Sequence, residues 1–289
     1  AWARARHLQR HPCGLSEWSL LQGLEEKDRA MLPSPFWADL TTTDFDRAAM
    51  EDVIAVLPVA AVEQHGPHLP LGTDAMIMEG YVTRIAAGLP ADLSVSFLPI
   101  QSIGHSPEHL AFSGTLTLSA EAAIAAWRGI GESVYRAGCR KLVIVSSHGG
   151  NSAVVDIVAQ SLRANWGLTV VTVSWQRFGY PAGLFDAEEI RHGIHGGDIE
   201  TSLMLAFHPD KVRMEEAEAF PSLTAEMERD YTWLRHPRPA GFSWMAQDLN
   251  PAGVVGDAAA ATAAKGEAAA AHGVAAFIAL LREVQCFSL

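Results

Sequence analysis

Basic residues are scarce in this 289-residue chain: 21 Lys and Arg stand against 33 Asp and Glu, a formal net charge of −12. A surface that acidic repels a phosphate backbone, so nucleic-acid binding is excluded as the main activity. Cysteine is scarcer still. Cys13, Cys139 and Cys286 are odd in number and scattered, with no C-x-x-C. No disulfide framework is expected, and a reducing, cytoplasmic setting is. No apolar run approaches the ~20 residues of a membrane span, so no membrane partner is expected. No G-x-S-x-G elbow surrounds Ser146 and Ser147, which argues against a serine nucleophile. Residues 1–30 lack the apolar core and small-residue cleavage site of a signal peptide. They read as an extension from an upstream start, ahead of M-L-P-S-P-F-W at Met31; a docked N-terminal arm is the alternative. Residues 31–289 read as a single domain with a full core.

What is present is an ordinary globular composition, 49% hydrophobic and 19% charged. Helix and strand signals alternate. A short helix is expected over residues 44–50 and a buried strand over 53–62, followed by a helix over 75–88 and a strand over 93–100. Ser119 is a good N-cap for a helix to about residue 137, stopped by Gly138. The run K-L-V-I-V-S-S at residues 141–147 reads as a strand of a parallel sheet covered on both faces. A helix over 151–165 and a strand over 168–175 follow, and residues 257–284 read as one long helix. This order predicts a doubly wound α/β sheet.

Chemistry concentrates in three places. Residues 62–74, V-E-Q-H-G-P-H-L-P-L-G-T-D, place Glu63, His65, His68 and Asp74 at the end of the first strand. Alternation puts Glu63 and His65 on one side, and the Gly/Pro spacing lets Asp74 fold back toward them. Carboxylates and imidazoles in this pattern suit Zn²⁺, Mn²⁺ or Fe²⁺. S-H-G-G-N at residues 147–151 follows another strand directly, where ligands bind in such sheets, which makes His148 the next ligand. Gly149 and Gly150 allow the backbone a close approach to metal or substrate. H-G-G-D-I-E-T-S at residues 195–202 puts His195 before a helix and Glu200 in its first turns, as ligand, general acid/base or cap.

Two further stretches are open. Residues 101–115 form a loop with Ser106, Glu108 and His109 that either lines a substrate pocket or faces solvent. Residues 231–251, broken by prolines, form a lid, a subunit contact or ordinary packing.

Together the three motifs resemble the creatininase family of metal-dependent amidohydrolases, with a closing G-V-V-G-D and the K-G-E at Lys265–Glu267 in support. The resemblance implies a three-layer α/β/α sandwich around a mainly parallel sheet, assembled as a homo-oligomer, a hexamer. It implies two divalent cations, zinc paired with zinc, manganese or iron. By position, Glu63, His65, Asp74 and His148 match metal ligands, with Asp74 the bridge, while His195 matches the catalytic histidine and Glu200 an active-site glutamate. Creatininase itself carries an aromatic residue and a metal-binding glutamate where Gly149 and Gly150 stand here. Glu200 is therefore expected to supply the missing ligand, and a branch other than creatininase itself is expected. His68 supports the ligands from behind. The implied activity is hydrolysis of a small cyclic amide, lactam or formamide by a metal-activated water. Alternatives are a formamide deformylase, a peptide hydrolase of cofactor maturation, or a non-catalytic binding relative.

Overall fold

A computed structural model describes residues 31–289, so the expected extension over residues 1–30 lies outside the described residues. The chain first alternates helix and strand: α1 Thr42–Arg47, β1 Ile54–Val59, α2 Thr73–Gly88, β2 Val95–Phe97, α3 Ala120–Arg136, β3 Lys141–Ser146, α4 Ser152–Trp166 and β4 Thr169–Ser174. Helices then dominate: α5 Ala187–His192, α6 Asp198–Phe207, α7 Leu223–Asp230, α8 Ala246–Leu249 and α9 Ala263–Cys286. The short strands β5 Ala219–Phe220 and β6 Gly256–Asp257 pair antiparallel among them.

The four longer strands form one parallel sheet in the order β2-β1-β3-β4. Successive side chains of β1 and β3 point to opposite faces, and both faces are covered. Ile54, Val56, Val143 and Val145 pack with Ile77 and Tyr81 of α2, Leu203 of α6 and Phe277 of α9. Ala55, Leu57, Leu142 and Ile144 pack with Trp127 of α3 and Val158 and Leu162 of α4. Each fully buried aliphatic side chain contributes about 1.5–3 kcal/mol of transfer free energy. A polar residue at Leu57 or Ile144 would break the α3–α4 layer. The result is the expected α/β/α arrangement with helices on both sides of a parallel sheet.

Local signals explain most element ends. The Ser119 hydroxyl accepts from Ala122 N at 3.2 Å and starts α3 as predicted. The first strand ends at Val59 rather than Val62, because Ala60 N already bonds to Gln101 O at 2.9 Å and the chain turns toward Leu116. The long C-terminal helix starts at Ala263, not Asp257. Asp257 belongs to β6, and the Thr262 side chain caps α9 by accepting from Lys265 N at 3.2 Å.

By length and composition α9 is apolar enough to cross a membrane, although its charged residues hide that in a search for unbroken apolar runs. It packs instead as a core helix, burying Ala269, Ala270, Phe277 and Leu281 beneath the sheet. Lys265 holds Asp198 of α6 at 2.5 Å, and Glu267 holds Arg84 of α2 at 2.6 Å. Cys139 carries a free thiol in the core, and burial pushes its pKa up to about 12.

Candidate metal centre

β1 and β3 are neighbours, with Val59 opposite Ser146, so the loops leaving their carboxyl ends share one edge of the sheet. The first loop closes on itself through Glu63 N to Leu71 O at 2.9 Å, which returns Asp74, in the first turn of α2, to the side of Glu63. The second loop delivers His148. His195 and Glu200 arrive from the turn before α6 and from its first turn.

The ligand atoms converge around Glu63, with Asp74 beside it. His148 Nδ1 lies 3.2 Å from Glu63 Oε1 and 3.8 Å from Asp74 Oδ2. His65 Nε2 lies 3.9 Å from the same Asp74 Oδ2 and 3.6 Å from Glu200 Oε2. Ligands at about 2.0–2.2 Å from one tetrahedral zinc stand roughly 3.3–3.6 Å apart. Among the described residues, the groupings able to hold an ion are Glu63 with His65 and Asp74, Glu63 with Glu108 and His148, Glu63 with His109 and His195, and His65 with His195 and Glu200. Asp74 Oδ2 lies a little beyond that spacing from both His148 and His65. Both Glu63 oxygens, His65 Nε2 and Asp74 Oδ2 are buried and make no hydrogen bond. An orphaned buried polar atom costs about 1–3 kcal/mol, and four at one point fit a site completed by cations.

Each imidazole is aimed from behind. His65 Nδ1 donates to Glu63 O at 3.1 Å, leaving Nε2 toward the cluster. His148 Nε2 faces Ser106 Oγ at 3.2 Å, His105 O at 3.1 Å and Glu108 Oε1 at 3.3 Å, leaving Nδ1 inward. His195 Nε2 donates to Gln64 O at 2.7 Å, and its Nδ1 stands 3.6 Å from Glu63 Oε1. Its ring packs between His65 and His109, with centroids 4.2 and 4.3 Å away. Glu200 Oε2 accepts from Gly196 N at 2.7 Å.

Electrostatics follow from burial and crowding. Burial and the Glu63 charge raise the Asp74 pKa well above the usual carboxylate range. Burial also raises Glu63, but His148, His195 and His109 outweigh it and hold that carboxyl well below the usual range. Burial lowers His65 well below an ordinary imidazole, and lowers His109 to about 4. His148 goes the other way: burial is overcome by Glu63 and Glu108, which raise it well above its ordinary value.

Of the loop residues left open, His109 is buried, with Nε2 3.3 Å from Glu63 Oε1. Glu108, His109, Gly149 and Gly150 line a cavity of about 920 Å³ over the cluster. Ser106 lies behind His148 and outside that lining. His68 bonds Gly196 O at 2.9 Å and Thr201 Oγ1 at 3.0 Å, tying the first motif to the third without facing the ligands. From residues 231–251, His236, Phe242 and Trp244 reach the cavity, whose apolar walls include Tyr180, Ile190 and Ile199.

Two participants escaped sequence reasoning. Gln64 sits between two ligands, and its Nε2 donates to Gly253 O at 2.5 Å and faces His109 Nδ1 at 2.8 Å. Asn151 accepts from His105 N at 3.0 Å and donates to Ala60 O at 3.1 Å, joining three loops. The alternation of the first motif and the final Asn of S-H-G-G-N were the available signals.

Fold and site together define an α/β/α protein with a carboxylate–histidine cluster able to hold a metal ion at the carboxyl edge of its sheet. The match within that class is specific. The creatininase profile, described as creatinine amidohydrolase, covers residues 38–281. The chain belongs to the creatininase family and is a hydrolase of that family. It is 32% identical over 224 residues to the mycofactocin precursor peptide peptidase of Mycobacterium tuberculosis (strain ATCC 25618 / H37Rv), covering 73% of this chain and 77% of that protein. It is 30% identical over 216 residues to the creatinine amidohydrolase of Pseudomonas putida, covering 67% of this chain and 80% of that protein. Among solved structures, one titled "Creatininase Mn" superposes with a TM-score of 0.69 at 25% identity, covering 86% of this chain and 98% of that one.

Proposed function

We propose that this chain hydrolyses a C–N amide bond with two divalent cations, zinc with zinc, manganese or iron. Glu63, Asp74 and His148 would hold one, and His65, Asp74 and Glu200 the other. The observation that carries the reading is that one atom, Asp74 Oδ2, stands 3.8 Å from His148 and 3.9 Å from His65 while accepting no hydrogen bond. Bound divalent cations supply Lewis acidity toward an amide carbonyl and lower the pKa of water.

The residues of the chain supply the proton path. An amine is a poor leaving group until protonated. His195 is the carrier: the Gln64 carbonyl fixes its proton on Nε2, so Nδ1 faces the cluster free to accept one. That nitrogen takes the proton released as water attacks and passes it to the departing nitrogen. Glu200 serves as ligand and, through Gly196 N, steadies the turn that bears His195.

The cavity of about 920 Å³ lies near the top of the roughly 300–1,000 Å³ of drug-sized ligand sites. With its aromatic and aliphatic walls, this favours an amide of short-peptide size with apolar flanks over a bare lactam. The named peptidase relative is in keeping with that. A second reading, a small cyclic amide, lactam or formamide, draws on the creatinine amidohydrolase relative. The glycines at 149 and 150 weigh against creatinine itself. The cytoplasm and a homohexamer complete the proposal.

The test is turnover by metal-loaded protein of a panel containing creatinine, formamides and short peptides with aromatic or aliphatic ends. Cleaved peptides are expected. Turnover of creatinine or formamides alone would favour the second reading. Two bound metals with no turnover would leave a binding protein.

A further inference from the structure

Glu189 is a carboxylate of α5 that the chemistry above does not use, and it is only 7% exposed. Its side chain runs beneath the turn that carries His195. Oε2 accepts from Asp257 N at 2.8 Å, at the end of β6. Oε1 lies against Gly197, the cap residue just before α6, and makes no hydrogen bond of ordinary geometry. Burial raises the Glu189 pKa to about 6, against the pull of the Asp257, Asp198 and Ile199 backbone N–H groups.

The carboxylate is enclosed by backbone. A β-carbon on Gly193, Gly197 or Gly256 would overlap it, so the chain closes over this group from three sides. The same strip of chain grips the turn a second time, because Val255 N donates to His195 O at 2.8 Å. His195 therefore lies between two anchors, the Val255 amide beside it and the Glu189 carboxylate beneath. Asp257 N donates to Oε2, the Asp198 and Ile199 backbone N–H groups also pull on the carboxylate, and glutamine offers them only one acceptor oxygen and no charge.

We propose that Glu189 is the positioning residue for His195. Its carboxylate fixes residues 193–197 against α6 and β6, and this sets His195 Nε2 on the Gln64 carbonyl and Nδ1 toward Glu63. The inference rests on the proton-carrier role proposed above.

The experiment uses Glu189→Gln in the full, metal-loaded chain, assayed on the best amide of the panel, with a crystal structure of the variant. Expected are two retained metals, an unchanged KM and a kcat lower by ~10–100-fold, the cost of about 1 Å of misplacement. In the crystal, the His195 contact to Gln64 O, now 2.7 Å, should open. On a His195→Asn background the same change should cost nothing further. An unmoved His195, an equal loss on that background, a lost metal or an unfolded variant would each overturn the proposal. If His195→Asn alone leaves kcat intact, the proton-carrier reading fails instead. Should no panel amide turn over, the position of His195 in the crystal decides.

Discussion

Gly150 stands so close to His148 that a β-carbon on it would overlap the imidazole Nε2, and would also lie 2.5 Å from Glu108 Oε1 and 2.7 Å from His105 O. The space a side chain would need at this position is filled by the groups that aim His148. Gly150→Ala should therefore tilt His148 and release the cation it holds, while the site around His65 keeps its own. Elemental analysis should read about one equivalent instead of two. Gly150→Glu, for the same reason, should not restore the ligand arrangement of creatininase.

Asp74→Ala removes the carboxylate proposed as the bridge, whose Oδ2 stands 3.8 Å from His148 and 3.9 Å from His65. Both ions should leave together and activity with them. An Asp74→Ala protein that still binds two equivalents would rule out the bridging role.

Glu200→Gln separates the two sites in the opposite way. It should weaken the ion beside His65 and spare the one beside His148, leaving about one equivalent at limiting metal. Retention of both would reduce Glu200 to its bond with Gly196 N, at 2.7 Å.

His195→Asn should leave metal content intact and lower kcat by ~10²–10⁴-fold on an unactivated amide, the usual contribution of general acid–base catalysis. A substrate with a better leaving group needs less protonation and should lose less. Equal losses on both substrates would show that His195 is not the proton carrier.

Glu189 also predicts a pH dependence. Its folded pKa is about 6 against an ordinary value of 4.5, so the native state holds this proton more tightly than the unfolded chain. The group's contribution is therefore most favourable below about pH 4.5 and declines as pH rises to about 6. The melting temperature of the native protein minus that of Glu189→Gln should shrink across that window. A difference independent of pH would contradict the raised pKa.

Much of the molecule was decided locally. The runs around Val56 and Val143 are apolar on every position and short, which reads as strands buried on both faces. Glu63, His65 and Asp74 lie within twelve residues, and the Gly/Pro spacing between them made their convergence legible before any fold was known. Ser119 announced its helix for the same reason, since a cap acts within one turn.

What the sequence could not decide depends on partners far along the chain. Whether the loop with Ser106, Glu108 and His109 faced solvent or the cluster turned on the pairing of β1 with β3, which sets His148 between that loop and Glu63. Asp257 read as the start of the last helix, yet pairing with β5 made it part of a strand. Glu189 carries no signal in the sequence that sets it apart. Its partner Asp257 N lies 68 residues away, and only the packing of β6 over the His195 turn buries that carboxylate. Local chemistry names candidate ligands because their types and spacing are written in the chain; which nitrogen faces which oxygen is decided by long-range packing.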